Sequence, residues 1–247
     1  MHSFLLIGQS NMAGRGFLNE AIPVDTSRIY TQRIGRWQPM FRPINPDRPH
    51  AGSSLAERFA ECYAAKYNVD VGLICCADGG TSMDQWMPGS LLYDHAVANA
   101  RLAQRTSTLA GILWHQGESD CLDGLHQTYR ERLFQMLTQL RKDLNVPDIP
   151  ILIGGLGDFL ANCTARLLNP EKYPFVNEAL EQVAKEAEHT AFVPATGLGA
   201  NPDQLHFSAA ALYEFGQRYF DAYEAMPKAQ LATTPENDTI RTEIEKL

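Results

Sequence analysis

Residues 3–14 read Ser-Phe-Leu-Leu-Ile-Gly-Gln-Ser-Asn-Met-Ala-Gly, an apolar run followed by a polar turn. Residues 3–7 are continuously apolar after the first serine, which is typical of a strand buried on both faces of a parallel sheet. Gly8 and Gly14 then bound a polar turn that contains Ser10. Because glycines allow a tight turn, the stretch predicts a first strand that ends at an exposed serine hydroxyl.

Four further apolar runs predict strands, and helical patterns lie between them. Ser54 and Glu57 have the spacing of a capping box at the start of one helix. Alternating strands and helices predict right-handed crossovers and an α/β fold, a three-layer sandwich around a flavodoxin-like parallel five-stranded sheet. The further strands are predicted at 69–77, 111–115, 149–154 and 191–194, and the helices at 55–66, 92–105, 125–144, 171–188 and 209–223.

Two segments interrupt this alternation of predicted strands and helices. Residues 15–52 are rich in arginine and proline with little periodicity, and they are interpreted as a long inserted loop on the substrate side. Residues 227–247 are polar and predict a loosely held tail or a short surface helix. The chain is therefore expected to hold one domain over residues 1–226, followed by the tail.

The composition excludes some classes of function. The 247 residues carry a formal charge of -8, which disfavours nucleic acid and anionic membranes as partners. No apolar run approaches the roughly 20 residues of a membrane helix. The five cysteines include no CxxC pair, and no basic segment precedes the first apolar run, so a reducing, cytoplasmic location is expected. The oligomeric state cannot be read from the sequence.

Polar clusters follow four of the predicted strands. They lie at residues 8–14, 78–86, 114–120 and 201–208. In a parallel α/β sheet, ligands bind at the carboxyl ends of the strands, so these clusters are expected to meet at one edge. Each cluster alone has a simpler structural reading as a turn, a helix cap or a satisfied core histidine, and that alternative stays open for each cluster taken singly.

Taken together, the clusters meet the requirements of acyl transfer. A serine hydroxyl is a poor nucleophile until a base takes its proton. His206 can act as that base for Ser10, and Asp203, three residues earlier, can orient the imidazole.

The oxyanion of the tetrahedral intermediate needs preorganised donors. The candidates are the amides of Ser10 and of Gly79 or Gly80, and the side chain of Gln116. The sequence contains no HExxH motif and no cysteine-rich cluster, so no metal site and no cofactor are predicted.

The four clusters, in this order, resemble the SGNH hydrolase superfamily. More narrowly, they resemble its sialate O-acetylesterase-like branch, which includes the acetylxylan esterases of carbohydrate esterase family six. The resemblance spans about four-fifths of the chain and departs from the wider superfamily in having Gln116 where asparagine is usual. It is carried by residues 8–14, by 79–82 with Trp86, by 115–120 and by 203–207.

This resemblance implies a serine esterase that removes acetyl groups from O-acetylated carbohydrate through an acyl-enzyme. It implies Ser10, Asp203 and His206 as the catalytic triad. Glu118 is hypothesised to support the histidine or the oxyanion-hole geometry. No long apolar stretch suggests an acyl tunnel, which favours a short acyl group.

The expected partner is a small acetylated carbohydrate. Arg15, Trp37 and Trp86 are predicted to line a shallow sugar-binding cleft. Xylan, sialic acid and other acetylated sugars remain open as the source of the leaving alcohol.

Other functions remain as alternatives. One is another short-chain SGNH esterase or thioesterase. A second is a catalytically inactive carbohydrate-binding module, although the intact Ser10, Asp203 and His206 argue against it. A flavodoxin-like nucleotide binder would use Gly79 and Gly80, but the chain lacks the Lys-Ser/Thr phosphate loop and a GxGxxG motif.

Overall fold

A seven-stranded sheet runs through the part of the chain that the computed structural model describes, namely residues 1–166, 168–227 and 231. Its strand order is β3-β2-β4-β1-β5-β6-β7. All neighbouring strands are parallel except β2 and β3, which form an antiparallel hairpin. The strands are β1 (His2–Gly8), β2 (Ile29–Arg33), β3 (Arg36–Pro39), β4 (Val71–Cys75), β5 (Thr108–His115), β6 (Ile151–Gly154) and β7 (Thr190–Val193).

The α/β fold class is confirmed. The five predicted strands correspond to β1, β4, β5, β6 and β7, and their order in space is the flavodoxin-like order 2-1-3-4-5 when they are numbered among themselves. The chain leaves β1 in one direction to reach β4 and later returns past β1 to β5. The carboxyl ends of β1, β4 and β5 therefore flank the topological switch point, where ligands bind in such sheets.

The predicted strand count and the irregular loop over residues 15–52 need correction. This segment contains β2 and β3, which extend the sheet beyond β4. Ile29 and Thr31 are buried while their neighbours in β2 are half-buried, so the strand alternates over only five residues. The hairpin at the sheet edge is mostly polar, and such a short alternation is hidden among the arginines and prolines around it.

Six α-helices complete the three layers in the described part of the chain. The helices α2 and α6 pack together on one face, while α3, α4 and α5 cover the other, as right-handed crossovers require. The predicted capping box is confirmed, because the Ser54 amide donates to Glu57 Oε1 at 3.0 Å. The helices are α1 (Ser10–Ala13), α2 (Leu55–Tyr67), α3 (Leu91–Ala103), α4 (His126–Leu144), α5 (Tyr173–Glu186) and α6 (Ala209–Ala225).

The ends of β1 and β5 approach each other closely. Gly8 has a φ of +129°, and a Cβ there would lie 2.0 Å from the carbonyl oxygen of His115. The next residue, Gln9, donates its amide to the same oxygen at 2.9 Å. The first polar cluster therefore lies directly against the third, and only glycine fits at this junction.

The predicted polar tail lies outside the described residues, apart from residues 227 and 231. Within the described residues, no helix has the length and apolar character needed to cross a membrane.

Candidate active site

Ser10, His206 and Asp203 meet at the carboxyl edge of the sheet. Ser10 is the first residue of α1, directly after β1. Its hydroxyl lies 3.0 Å from His206 Nε2, and His206 Nδ1 lies 2.6 Å from Asp203 Oδ2. The carboxylate accepts from the Nδ1–H, which leaves Nε2 as an acceptor for the serine hydroxyl. The structure thus brings together two sites that are 196 positions apart in the chain.

A local turn holds Asp203 against His206. Asp203 Oδ1 accepts from the amides of Leu205 and His206, each at 3.0 Å, while Oδ2 faces the ring. Partial burial raises the pKa of Asp203, but the hydrogen bonds from the ring and from the two amides outweigh it and hold the pKa below its usual value. The side chain is therefore a carboxylate at neutral pH, although about half of it is exposed.

Asn11 joins the serine turn to the histidine loop. Its Oδ1 accepts from the amide of Phe207 at 3.1 Å, and its Nδ2 donates to the carbonyl of Leu205 at 3.2 Å. These two backbone groups flank His206 on either side. The same Nδ2 donates to Glu118 Oε1 at 2.5 Å. One amide side chain therefore connects three of the four polar clusters.

Glu118 is a buried carboxylate behind this contact. His115 Nε2 lies 3.3 Å from Glu118 Oε1, and both side chains are almost wholly buried. Burial raises the pKa of Glu118, but the neighbouring His115 ring and the hydrogen bond from Asn11 outweigh it, so the pKa lies below its usual value. Glu118 is thus connected to His206 indirectly, through Asn11 and the backbone beside the histidine, and its supporting role stays a hypothesis.

The prediction that Gln116 supplies an oxyanion donor needs correction. The residue is fully buried, and its Nε2 donates to the carbonyl of Thr81 at 2.9 Å and to Asp120 Oδ2 at 2.6 Å. Burial raises the pKa of Asp120 to about 6, although its hydrogen bonds oppose this rise. The Gln116 side-chain amide therefore donates to groups in the loops after β1, β4 and β5. It is not available to a ligand at Ser10.

The prediction for Gly79 needs correction for a similar reason. Its amide donates to Asp47 Oδ2 at 2.8 Å, and Asp47 also forms a two-pronged ion pair with Arg15. The neighbouring Gly80 differs, because its amide makes no hydrogen bond within residues 1–166, 168–227 and 231. Of the two glycines, Gly80 thus has its amide available to a ligand.

Gln9 has the outward-facing side-chain N–H group that was expected of Gln116. Its Oε1 points inward and accepts from Gln116 Nε2 at 3.2 Å and from the amide of Ser119 at 3.3 Å. These donors fix the orientation of the amide, so Nε2 is the outward end. Within the described residues, Gln9 Nε2 has no hydrogen-bond partner. The sequence signal was weak, since Gln9 was only one letter of the serine block.

A pocket of about 210 Å³, called here the Ser10 pocket, opens beside the serine. Its size is below the range of about 300–1,000 Å³ usual for drug-sized ligands. Arg15 lines it as expected, but its guanidinium is ion-paired with Asp47. Arg48 and His50, which sequence analysis did not single out, also line it. The other lining residues are Gln9, Ser10, Gly79, Gly80, Glu118, Ser119, Leu168, Leu205 and His206.

Neither tryptophan predicted for sugar binding lines this pocket. Trp86 is 1% exposed, packs edge-to-face on Trp114 and donates its indole N–H to Thr81 Oγ1 at 3.0 Å. Trp37 lies on β3 against Gly72, and its N–H donates to Thr106 Oγ1 at 3.0 Å. Both side chains are packing elements, so their assignment to the cleft is corrected.

No group of three or more His, Cys, Asp or Glu side chains within the described ranges has an arrangement that could hold a metal ion.

Comparison with known proteins gives consistent results. The chain is 28% identical to a probable carbohydrate esterase of Arabidopsis thaliana over 89% of both chains. A crystal structure of an Arabidopsis thaliana protein superposes with a TM-score of 0.80 at 27% identity, covering 91% of this chain and 98% of the other.

Two more distant structures share the fold. NanS has a TM-score of 0.70 at 17% identity, with 90% of this chain and 96% of that chain covered. A carbohydrate acetylesterase from Xanthomonas citri has a TM-score of 0.68 at 20% identity, with 89% and 55% covered.

The model of a family described as carbohydrate esterase, sialic acid-specific acetylesterase, matches residues 1–225. This match covers β1 to β7 and all four polar clusters. The chain therefore belongs to the sialic acid-specific acetylesterase family of carbohydrate esterases and is an acetylesterase of the SGNH type.

Proposed function

We propose that this enzyme removes acetyl groups from O-acetylated carbohydrate through an acyl-enzyme intermediate on Ser10. The observation that carries the proposal is the Ser10 Oγ to His206 Nε2 distance of 3.0 Å, with Asp203 2.6 Å behind the imidazole. A hydroxyl, a base within hydrogen-bond reach and a group that orients the base are the three requirements of serine acyl transfer.

The reaction follows in two halves. His206 Nε2 takes the hydroxyl proton of Ser10 as the oxygen attacks the acetyl carbonyl, and a tetrahedral intermediate forms. This intermediate collapses when His206 returns the proton to the departing sugar oxygen. Water then attacks the acetyl-serine with His206 again as base. The bond from the acyl carbon to Ser10 Oγ breaks as His206 returns that proton to Oγ, and acetate leaves. The charge of Asp203 stabilises the imidazolium that forms in both halves.

The oxyanion needs donors that face the Ser10 pocket. We assign this role to the amides of Ser10 and Gly80 and to Gln9 Nε2, in place of Gly79 and Gln116. Support comes from the inward orientation of Gln9 Oε1, which leaves the N–H groups toward the pocket. Removing one such donor typically costs about 3–4 kcal/mol of transition-state stabilisation.

The variant Gln9→Glu tests this assignment. It keeps an acceptor for Gln116 and Ser119 but replaces the outward N–H group with a carboxylate oxygen, which repels a developing oxyanion. We expect kcat for p-nitrophenyl acetate to fall by about 10²–10³-fold, with little change in KM. Steady-state kinetics measure both constants, and thermal unfolding checks that the variant is folded. Unchanged kcat in a folded variant would rule out Gln9 as a donor.

Asn11 and Glu118 serve as positioning residues in this scheme. Asn11 holds the carbonyl before His206 and the amide after it, so it determines where the imidazole lies. Glu118 holds Asn11 through a short hydrogen bond in a buried setting, where such bonds are strong. The distance from Ser10 to the base therefore depends on two side chains that do not themselves react.

A short acyl group suits the size of the Ser10 pocket. At about 210 Å³, the pocket has room for an acetyl group and part of a sugar but is too small to enclose a long acyl chain. We expect kcat/KM to be highest for p-nitrophenyl acetate, lower for butyrate and lowest for octanoate. Higher activity on octanoate than on acetate would favour the short-chain lipase alternative, and no activity on any ester would favour an inactive binding module.

The class of leaving alcohol is supported by the family and by the relatives, whose descriptions name carbohydrate esterases and sialic acid. We propose an O-acetylated sugar, of the acetylxylan or the sialate type, as the substrate. Release of acetate from acetylated xylose and from O-acetylated sialic acid, measured side by side, distinguishes the two types. We also propose a reducing, cytoplasmic location, which is supported by five free cysteine thiols.

A further inference from the structure

A second cavity, of about 610 Å³, adjoins the Ser10 pocket. It is called here the hairpin groove, and it lies between the β2–β3 hairpin, residues 41–48 and the first turns of α3. Arg48 lines both cavities. Its guanidinium is held by an ion pair with Asp78 at 2.6 Å and donates to the carbonyl of Gly79 at 2.9 Å. The Arg48 side chain is thus a wall shared by the two cavities.

The groove presents an aromatic ring in a fixed orientation. Phe41 is 51% exposed, which is high for a large apolar side chain. The guanidinium carbon of Arg33 lies 3.9 Å from the ring centroid, and Arg33 Nη2 is anchored on the carbonyl of Pro43 at 2.9 Å. Because one cation–π contact holds the ring, it keeps its place without being covered by the core.

Polar side chains surround this ring. Gln32 and Gln38 from the hairpin and His95 from α3 line the same groove. Amide groups supply both a donor and an acceptor, which match the hydroxyls of a sugar, while an aromatic ring matches its C–H face. An exposed aromatic ring beside amide and imidazole side chains, in a groove that two arginines and two aspartates also line, is therefore suited to a carbohydrate rather than to a long apolar chain.

We propose that the hairpin groove binds the oligosaccharide chain that carries the acetylated sugar. The enzyme then acts on O-acetylated oligosaccharides in preference to O-acetylated monosaccharides. This inference rests on the proposed function. The occupant is chosen from continuity, because the groove begins at the wall of the pocket from which the deacetylated sugar hydroxyl must leave. Its volume is in the range of sites that enclose ligands larger than one small group.

The test compares substrates of increasing length. Acetate release is measured from acetylated xylose and from a series of acetylated xylo-oligosaccharides, with p-nitrophenyl acetate as a substrate that cannot reach the groove. We expect kcat/KM to rise with length in the wild-type enzyme. In Phe41→Ala we expect kcat/KM for the longer substrates to fall by about threefold to tenfold, while p-nitrophenyl acetate hydrolysis is unchanged.

Two further variants sharpen the test. His95→Trp narrows the groove from its α3 wall and is expected to reduce the same length dependence. Phe175→Ala is the matched control, because Phe175 is 54% exposed on α5, which packs on β6 and β7 far from the hairpin. Equal kcat/KM for all lengths, or equal loss in Phe175→Ala and Phe41→Ala, overturns the proposal. Absence of activity on p-nitrophenyl acetate would instead overturn the proposed function itself.

Discussion

Replacing Ser10 with alanine is expected to lower kcat for p-nitrophenyl acetate by about 10⁵-fold or more, with KM changed by less than about threefold. In the proposed mechanism this hydroxyl forms the acyl bond, so its removal eliminates the covalent route. Binding of the ester persists, since the rest of the Ser10 pocket is intact. The donors at Gln9 and Gly80 remain as well, and they leave a small residual rate above that in water.

A control variant distinguishes loss of the nucleophile from a general disturbance of the site. Ser82 lies in the loop after β4 but does not line the Ser10 pocket. Ser82→Ala is therefore expected to keep most of the wild-type activity. Calorimetry on both variants checks that each is folded. Activity of Ser10→Ala above about 1% of wild type would show that another group attacks the ester.

Replacing His206 with alanine is expected to have an effect of similar size. In the proposed mechanism this imidazole is the base for Ser10, and no second histidine ring of the described residues is hydrogen-bonded to that hydroxyl. Without it, the serine proton has no acceptor at neutral pH and the leaving sugar oxygen receives no proton. We expect kcat to fall by about 10⁴–10⁶-fold and added imidazole to restore part of it.

The double variant Ser10→Ala, His206→Ala gives a more exacting test. Residues that act as one unit are strongly non-additive, so the double variant should be about as slow as either single one. His126→Ala is the control, because the His126 ring lies at the start of α4 and is hydrogen-bonded to the carbonyl of Leu122. If the fold-losses in kcat of the two single variants multiply in the double variant, Ser10 and His206 act independently. That result would contradict a shared proton transfer.

The layered fold was predictable because its central strands β1, β4, β5 and β6 are buried on both faces. Continuous apolar runs such as residues 3–7 and 149–154 cannot face water, and they alternate with helical patterns. The β2–β3 hairpin escaped the same reasoning. It lies at a sheet edge, its alternation covers only a few residues, and its turn is flanked by the half-buried Arg33 and the exposed Arg36. An edge strand of this kind depends on pairing with β4, which no local pattern reveals.

The meeting of Ser10 with His206 was predictable from placement alone. Both lie in polar clusters that follow strands, and the carboxyl ends of parallel strands share one edge. The orientation of amide side chains was not predictable in the same way. Gln9 and Gln116 have the same side chain. Only the buried hydrogen-bond network determines which of the two has its N–H groups paired inside the protein. That network depends on distances between three loops, which the sequence does not specify.

The two tryptophans illustrate a related difficulty. A tryptophan side chain is equally suited to a ligand site and to a protein core. The residue type alone therefore does not distinguish the two roles. Trp86 became a core residue because Trp114 and Thr81 complete its contacts. Phe41, which no motif distinguished, is instead an exposed aromatic ring that lines the hairpin groove. Which ring faces solvent is a property of packing and not of residue type.

In the proposed mechanism, Ser10 Oγ becomes the acyl acceptor because His206 removes its proton across 3.0 Å. The most direct measurement is mass spectrometry of the enzyme after reaction with a fluorophosphonate, which modifies only activated serines. We predict one adduct per chain, on the peptide containing Ser10, and none in His206→Ala under the same conditions. An adduct on another residue, or equal labelling of Ser10 in both proteins, would contradict the claim.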